Sequence, residues 1–170
     1  MEMEEITVIA GTNRPGSRTL PIARQYIRLL QDYPVSTHLL SLEGLDLNKR
    51  TEQLKEIEDT LIIPVQKFIF ILPEYNGSFS GAVKTFIDLT RYKECWYFKK
   101  ALLTGVAEGK GGNLRGLEHF TGVLHFLKIV VHPNKLPISS VRQLVNAQGE
   151  ITDEQTLRLI RQQIEEFLAL

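Results

Sequence analysis

The stretch Phe68-Ile69-Phe70-Ile71-Leu72-Pro73-Glu74-Tyr75-Asn76-Gly77-Ser78 decides how this chain is read. Five apolar residues in a row stop at a proline, and an acid, an aromatic ring, an amide and a glycine follow at once. A short apolar run bounded by turn residues suits a strand buried on both faces, as in a parallel sheet. Open α/β sheets bind their ligands beyond the C-terminal ends of such strands, so Pro73–Ser78 is the expected centre of a site. From Ser80 to Arg91 the spacing turns helical, with Val83, Phe86 and Ile87 facing a core.

The pattern repeats on either side. Upstream, Ile6–Ala10 reads as a strand and runs through Gly11-Thr12-Asn13-Arg14-Pro15-Gly16-Ser17-Arg18-Thr19 into a helix from Thr19 to Gln31, with Leu20, Ala23, Ile27 and Leu30 on one face. Val35 to Leu42 is a second strand. After a loop from Glu43 to Arg50, Thr51 is placed to cap a helix that presents Leu54, Ile57, Leu61 and Val65. Downstream, Lys100–Thr104 is a strand, Gly105–Gly112 a loop, Asn113–Leu127 a helix and Lys128–Val131 a short strand. No element is assigned between Val131 and Thr152. The last segment, Thr152–Leu170, is helical, with Leu157, Ile160, Ile164, Phe167 and Leu168 forming its apolar face. Strand and helix alternate five times, which predicts an α/β fold with a parallel sheet covered on both faces. Right-handed crossovers then put the strand-end loops on one edge. Residues 1–170 are expected to form a single domain.

Composition narrows the function classes. The 170 residues are 43% hydrophobic and 24% charged, which suits a folded globular chain. Twenty basic residues balance twenty acidic ones, so no overall charge draws the chain to nucleic acid or an anionic membrane. No segment approaches the roughly 18 apolar residues of a membrane span. The acidic start (Glu2, Glu4, Glu5) is unlike a secretory signal. The single cysteine, Cys95, cannot form an internal disulfide, so a reducing cytoplasm is the expected compartment. His38, His119, His125 and His132 lack ligand spacing and have no cysteine partners, so no metal site is expected. Cys95 has no placed base and is not read as a nucleophile.

The three strand-end loops carry the chemistry. The first offers the hydroxyls of Thr12, Ser17 and Thr19, the guanidinium groups of Arg14 and Arg18, and the free amides of a helix N-terminus, a set that suits phosphate. The spacing Gly11-x-x-x-x-Gly16 is that of a nucleoside-triphosphate loop, but Ser17 stands where that motif needs lysine, and the dinucleotide pattern G-x-G-x-x-G is absent. In the second loop, Tyr75 is able to stack on a planar ring while Asn76 and nearby amides bond to ring edges; the same residues also compose an ordinary turn. The third loop has few bulky side chains, which lets its backbone approach a flat ligand or merely loosens the entry to a helix. The cluster Tyr92, Trp96, Tyr97 and Phe98 reads as core or as interface, and its nearness to the second loop favours a subunit contact.

With these loops in place, the chain resembles the NADPH-dependent FMN reductase family, flavodoxin-like proteins that include quinone, azo-dye and chromate reductases. Gly11–Ser17 is similar to the family's Gly-Ser-x-Arg-x-x-Ser phosphate loop and Pro73–Ser78 to its flavin-ring motif. Gly81-Ala82-Val83-Lys84-Thr85-Phe86-Ile87-Asp88 is similar to its Gly-x-Leu-Lys-Asn-x-x-Asp helix start. The resemblance implies a three-layer α/β/α sandwich with a five-stranded parallel sheet in the order 2-1-3-4-5. It implies that Thr12, Arg14, Ser17, Arg18 and Thr19 hold the FMN phosphate. Pro73, Glu74, Tyr75, Asn76 and Gly77 would line the flavin ring, with Val106, Ala107 and Glu108 as a further wall. It also implies NADPH or NADH as electron donor, a small acceptor (a quinone, flavin, azo compound or metal oxyanion) and a homodimer or homotetramer. Thr19 stands where the family has asparagine, Ser80 where it has proline, and Thr85 where it has asparagine. Val106-Ala107-Glu108 replaces a stretch commonly made of serine and glycine, which narrows the ring pocket or brings a negative charge to it. The rival expectation is a non-enzymatic FMN-binding electron carrier. A carrier would typically show an acidic face, which the neutral charge balance does not suggest.

Overall fold

The computed structural model describes residues 3–170; Glu2 of the acidic start lies outside them. At its centre runs β3 (Lys67–Pro73), buried along its whole length. It pairs in parallel with β1 (Glu4–Ala10) on one side and β4 (Lys100–Val106) on the other, and β2 (Val35–Ser41) pairs in parallel with the far edge of β1. The fifth position is shared. β5 (Val130–Val131) pairs with Lys100 and Ala101, and β6 (Leu136–Ile138) pairs with Thr104, Gly105 and Val106 of the same strand. The order is β2-β1-β3-β4-β5, as expected, with β6 continuing the edge that β5 begins.

Side chains alternate across a strand, so β3 feeds two cores. Phe68, Phe70 and Leu72 pack with α2 (Glu52–Ile57), α3 (Gly81–Leu89) and α5 (Leu114–Phe126) through Leu54, Val83, Phe86, Leu117 and Phe120. Ile69 and Ile71 pack on the opposite face with α1 (Thr19–Leu30) and α6 (Glu154–Leu168), through Ile22, Tyr26, Ile160, Ile164 and Phe167. Three layers result. The cap expected at Thr51 forms as a hydrogen bond, its hydroxyl accepting from the Leu54 amide at 3.1 Å, and at the start of α3 the Ser80 hydroxyl accepts in the same way from the Val83 amide at 3.3 Å. Ser80 also donates to the Gly11 carbonyl, tying the start of α3 to the loop after β1.

Four features depart from the sequence expectation. The second helix does not keep one register: after Ile57 it passes into a π-helical turn, Glu58–Ile62. The extra residue per turn rotates Glu58 and Ile62 inward and leaves Ile57 and Leu61 half-buried. Glu58 is fully buried yet paired, accepting from the Arg91 amide at 2.7 Å and the Arg91 Nε at 3.0 Å, and bonding to Arg50. Desolvation works to raise its pKa, but the hydrogen bonds from Arg50 and Arg91 prevail and hold it below the usual carboxylate range.

The third helix ends at Leu89, and a short α4 (Tyr92–Trp96) follows. Trp96 is not a surface contact. It is fully buried against Phe68, Phe70 and Phe86, at ring-centroid distances of 5.3, 6.2 and 6.1 Å, and its indole N–H donates to the Thr90 hydroxyl at 2.8 Å. Of the aromatic cluster, Tyr92 and Phe98 are exposed. The expected strand Lys128–Val131 shrinks to Val130–Val131, because Lys128 adopts a left-handed φ of 58° at the end of α5.

The unassigned segment 132–151 holds β6 and a 3-10 turn, Val141–Gln143. Between β5 and β6 no strand covers β4, and α6 fills the gap with a side chain. The Gln163 amide donates to the Leu103 carbonyl at 3.0 Å and to the Asn134 carbonyl at 2.8 Å. Its oxygen accepts from the Tyr26 hydroxyl at 2.8 Å, and that hydroxyl also meets Thr104 Oγ1 at 2.7 Å. Burial drives the Tyr26 pKa upward.

Candidate functional site

The C-terminal ends of β1, β3 and β4 meet at one edge of the sheet, and a cavity of about 430 Å³ opens there. Of the residues expected at a site, Arg14, Ser17, Arg18, Thr19, Pro73, Glu74, Tyr75, Val106, Ala107 and Glu108 line it. Pro15, Gly16, Val141 and Arg142 line it as well. Thr12, Asn76 and Gly77 do not reach the lining.

The loop between β1 and α1 supplies one wall. The Ser17 and Thr19 hydroxyls lie 2.8 Å apart, and the Ser17 oxygen also accepts from the Thr19 amide at 3.2 Å. Helix α1 begins at Thr19, and the first amides of a helix have no carbonyl partner within it, so they and the positive end of the helix dipole favour an anion. Pro21, in the first turn, removes no needed donor. Gly16 takes a left-handed φ of +68° with open space where a Cβ would stand, which keeps the loop backbone accessible. Hydroxyls, two arginines and a helix N-terminus are together a donor set that fits a phosphate monoester.

The loop after β3 supplies the second wall. Asn76 and Gly77 have φ of 51° and 77°, the left-handed pair of a type I′ turn. The backbone bonds Tyr75 N–H to Ser78 carbonyl (2.8 Å) and Ser78 N–H to Tyr75 carbonyl (3.0 Å) close that turn. Asn76 and Gly77 therefore shape the loop, and Tyr75 faces the cavity. Its hydroxyl meets Thr12 Oγ1 at 2.8 Å, so Thr12 acts on the site by holding the ring in place. The amides of Glu74, Tyr75 and Ala107 are engaged with the carbonyls of Val106, Ser78 and Ile138.

The third wall is Val106–Glu108. Glu108 does not stand as a free charge: its carboxylate accepts from Arg18 Nε at 2.8 Å and pairs with Arg142 Nε at 2.9 Å. Desolvation pulls its pKa up, and the hydrogen bonds from Arg18 and Arg142 outweigh that and lower it. Arg142, on the 3-10 turn, was invisible in the sequence because no motif marks residues 132–151. The signal that existed was Glu108 itself, an acid without an evident partner beside a basic loop. Among the described residues, no group of three or more His, Cys, Asp or Glu side chains is placed to hold a metal ion.

A parallel sheet in this order, with a loop rich in hydroxyls and arginines after its first strand and an aromatic loop after its third, defines a flavodoxin-like protein. A family model for NADPH-dependent FMN reductases matches residues 5–143. The chain is 34% identical over 172 aligned residues to an NAD(P)H-dependent FMN reductase of Pseudomonas aeruginosa, covering 92% of this chain and 89% of that one. It is 26% identical over 170 residues to an NADPH azoreductase of a Bacillus species, covering 97% and 91%. The solved structure of FerB, a flavoenzyme NAD(P)H:(acceptor) oxidoreductase of Paracoccus denitrificans, superposes with a TM-score of 0.80 at 21% identity, covering 98% and 96%. The chain belongs to the NADPH-dependent FMN reductase family. It is an oxidoreductase that works with FMN and NAD(P)H, and the expectation of a non-enzymatic carrier is set aside.

Proposed function

We propose that the protein binds FMN in the cavity and uses it to pass a hydride from NAD(P)H to a small acceptor, a quinone, flavin, azo compound or metal oxyanion. The observation that carries this reading is that the hydroxyl- and arginine-rich start of α1 faces Tyr75 across a single cavity. When bound, FMN supplies the hydride chemistry itself. Ser17, Thr19 and the first amides of α1 hold the phosphate, with Arg14 and Arg18 balancing its charge. Pro73 and Tyr75 form an apolar wall for the flavin ring, and the bond from Thr12 keeps Tyr75 from turning away. Val106 and Ala107 extend the lining from the end of β4, next to Pro73. No side chain of the lining is required to move a proton for hydride transfer, and no acid or base is assigned.

Incubating the purified protein with FMN and recording its absorbance after removal of free flavin tests the binding. Steady-state oxidation of NADPH and NADH, with a quinone and with an azo dye, tests the reaction. Retained flavin with turnover supports the reading. A protein that binds no FMN refutes it.

The chain is further proposed to work as a homodimer or homotetramer. Supporting this, an apolar groove of about 680 Å³ between α3 and α5 is lined by Ile87, Tyr92, Tyr97, Val123, Phe126 and Leu127. Of these, Phe126 is 79% exposed. A second copy would cover that surface, and sedimentation of a Phe126→Glu variant would yield a smaller species. Among the described residues no helix is long and apolar enough to cross a membrane, and the lone buried thiol suits a reducing cytoplasm.

A further inference from the structure

Glu108 holds a position that a phosphate site does not ask for. Three cations (Arg14, Arg18, Arg142) and two anions (Glu74, Glu108) line the cavity. One of those anions engages two of the three cations, through a different oxygen for each. The segment that carries it is pinned on both sides. The Ala107 amide donates to the Ile138 carbonyl at 3.0 Å, the Val141 amide to the Ala107 carbonyl at 3.1 Å, and the Ser140 amide to the Gly109 carbonyl at 3.0 Å. The fold thus sets Glu108 and Arg142 opposite each other, and Arg18 meets the same carboxylate from the N-cap position of α1. These bonds fix the backbone on which the pair stands, while the side chains themselves are partly exposed, Arg18 at 37%, Glu108 at 48% and Arg142 at 73%.

We propose that Glu108 is a built-in competitor for the flavin phosphate, one that makes FMN exchangeable and keeps it from being held permanently. The inference rests on the reading that the phosphate lies against Ser17, Thr19 and Arg18. A phosphate monoester brings nearly two negative charges. Next to Glu108 it enters a lining with one net positive charge and must draw Arg18 away from a carboxylate that already satisfies it. Without that carboxylate it meets two net positive charges and a free guanidinium. Arg142 is the second holder: it keeps the carboxylate in the cavity when Arg18 turns to the phosphate, so the competition is reversible.

The test is titration of flavin fluorescence quenching for the wild-type protein, Glu108→Gln and Glu108→Ala, each with FMN and with riboflavin, which lacks the phosphate. Both variants are expected to bind FMN about tenfold more tightly at low ionic strength, as removal of one partly exposed like charge beside a near-dianion allows. The gain should shrink as salt is added, and riboflavin binding should not change. Unchanged or weaker FMN binding by both variants overturns the role of Glu108, and so does an equal shift for riboflavin, which would place its action on the ring. Wild-type protein that binds riboflavin as tightly as FMN overturns the underlying phosphate reading instead.

Discussion

Replacing Trp96 by alanine separates a core residue from an interface residue in one experiment. Trp96 is the only tryptophan of the chain and is fully buried among Phe68, Phe70 and Phe86. Truncating a buried aromatic to alanine removes its transfer free energy and leaves a cavity, costing about 3–5 kcal/mol. Thr90 also loses the indole N–H that donates to it. For a chain of this size each kcal/mol lowers the melting temperature by about 2–4 °C, so a fall of roughly 6–20 °C is expected. Calorimetry and urea unfolding measure it, and Phe98→Ala, at a side chain 73% exposed, serves as the control with a change within about 0.5 kcal/mol. In the native protein the Trp96 emission should be blue-shifted and shielded from iodide. A loss below about 1 kcal/mol together with dissociation into smaller species would refute the placement of Trp96 in the core.

Three further outcomes are expected. The folded-state pKa of Glu58 is lowered, so its contribution to stability is full above the ordinary carboxylate range and is lost as pH falls through the folded value. Glu58→Gln should therefore destabilise by about 1–3 kcal/mol at neutral pH, with the difference from wild type closing on acidification in urea melts taken from pH 7 to 3. Tyr26→Phe removes the hydroxyl shared by Thr104 and Gln163 and should lower stability by about 1–2 kcal/mol while FMN binding is retained, as chemical denaturation and flavin titration would show. Burial pushes the Cys95 thiol up to about 12, so at pH 8 roughly one molecule in ten thousand carries the thiolate. Ellman's reagent should react only after unfolding, and fast labelling of native protein would contradict the burial.

Much of the molecule was legible because local signals agreed. The unbroken run Phe68–Leu72 announced a strand buried on both faces, and Thr51 and Ser80 announced helix starts that the structure caps through those hydroxyls. The hydroxyls and arginines of the first loop and the ring of Tyr75 were placed on one cavity by the topology alone. What escaped depends on tertiary pairing. A buried glutamate looks like a surface residue until Arg50 and Arg91, eight and thirty-three residues away, are brought to it. The π-helical turn that delivers it shifts the apolar face by one position, a shift that a fixed period does not contain. Trp96 follows Tyr92 at helical spacing, and only the chain's path after α3 decides which of the two goes inside. Arg142 had no motif of its own, and its place beside Glu108 follows from the pairing of β6 with β4. The bond between Thr12 and Tyr75 was not foreseen either, since hydroxyl chemistry does not tell which neighbour will be nearer.

The gap in the sheet edge between β5 and β6 bears on how the chain is made. The Leu103 carbonyl receives its bond from Gln163, sixty residues later in the chain. At ribosomal speeds of about 5–20 residues per second, that separation is roughly 3–12 s of synthesis. Through that interval the Leu103 position on the edge of β4 lacks this partner, and unpaired groups on a strand edge are a template for a strand from another molecule. Breaking the edge into two short pieces limits how long a foreign strand can register along it. The arrival of Gln163 then closes the position with a side-chain amide that no added strand can extend.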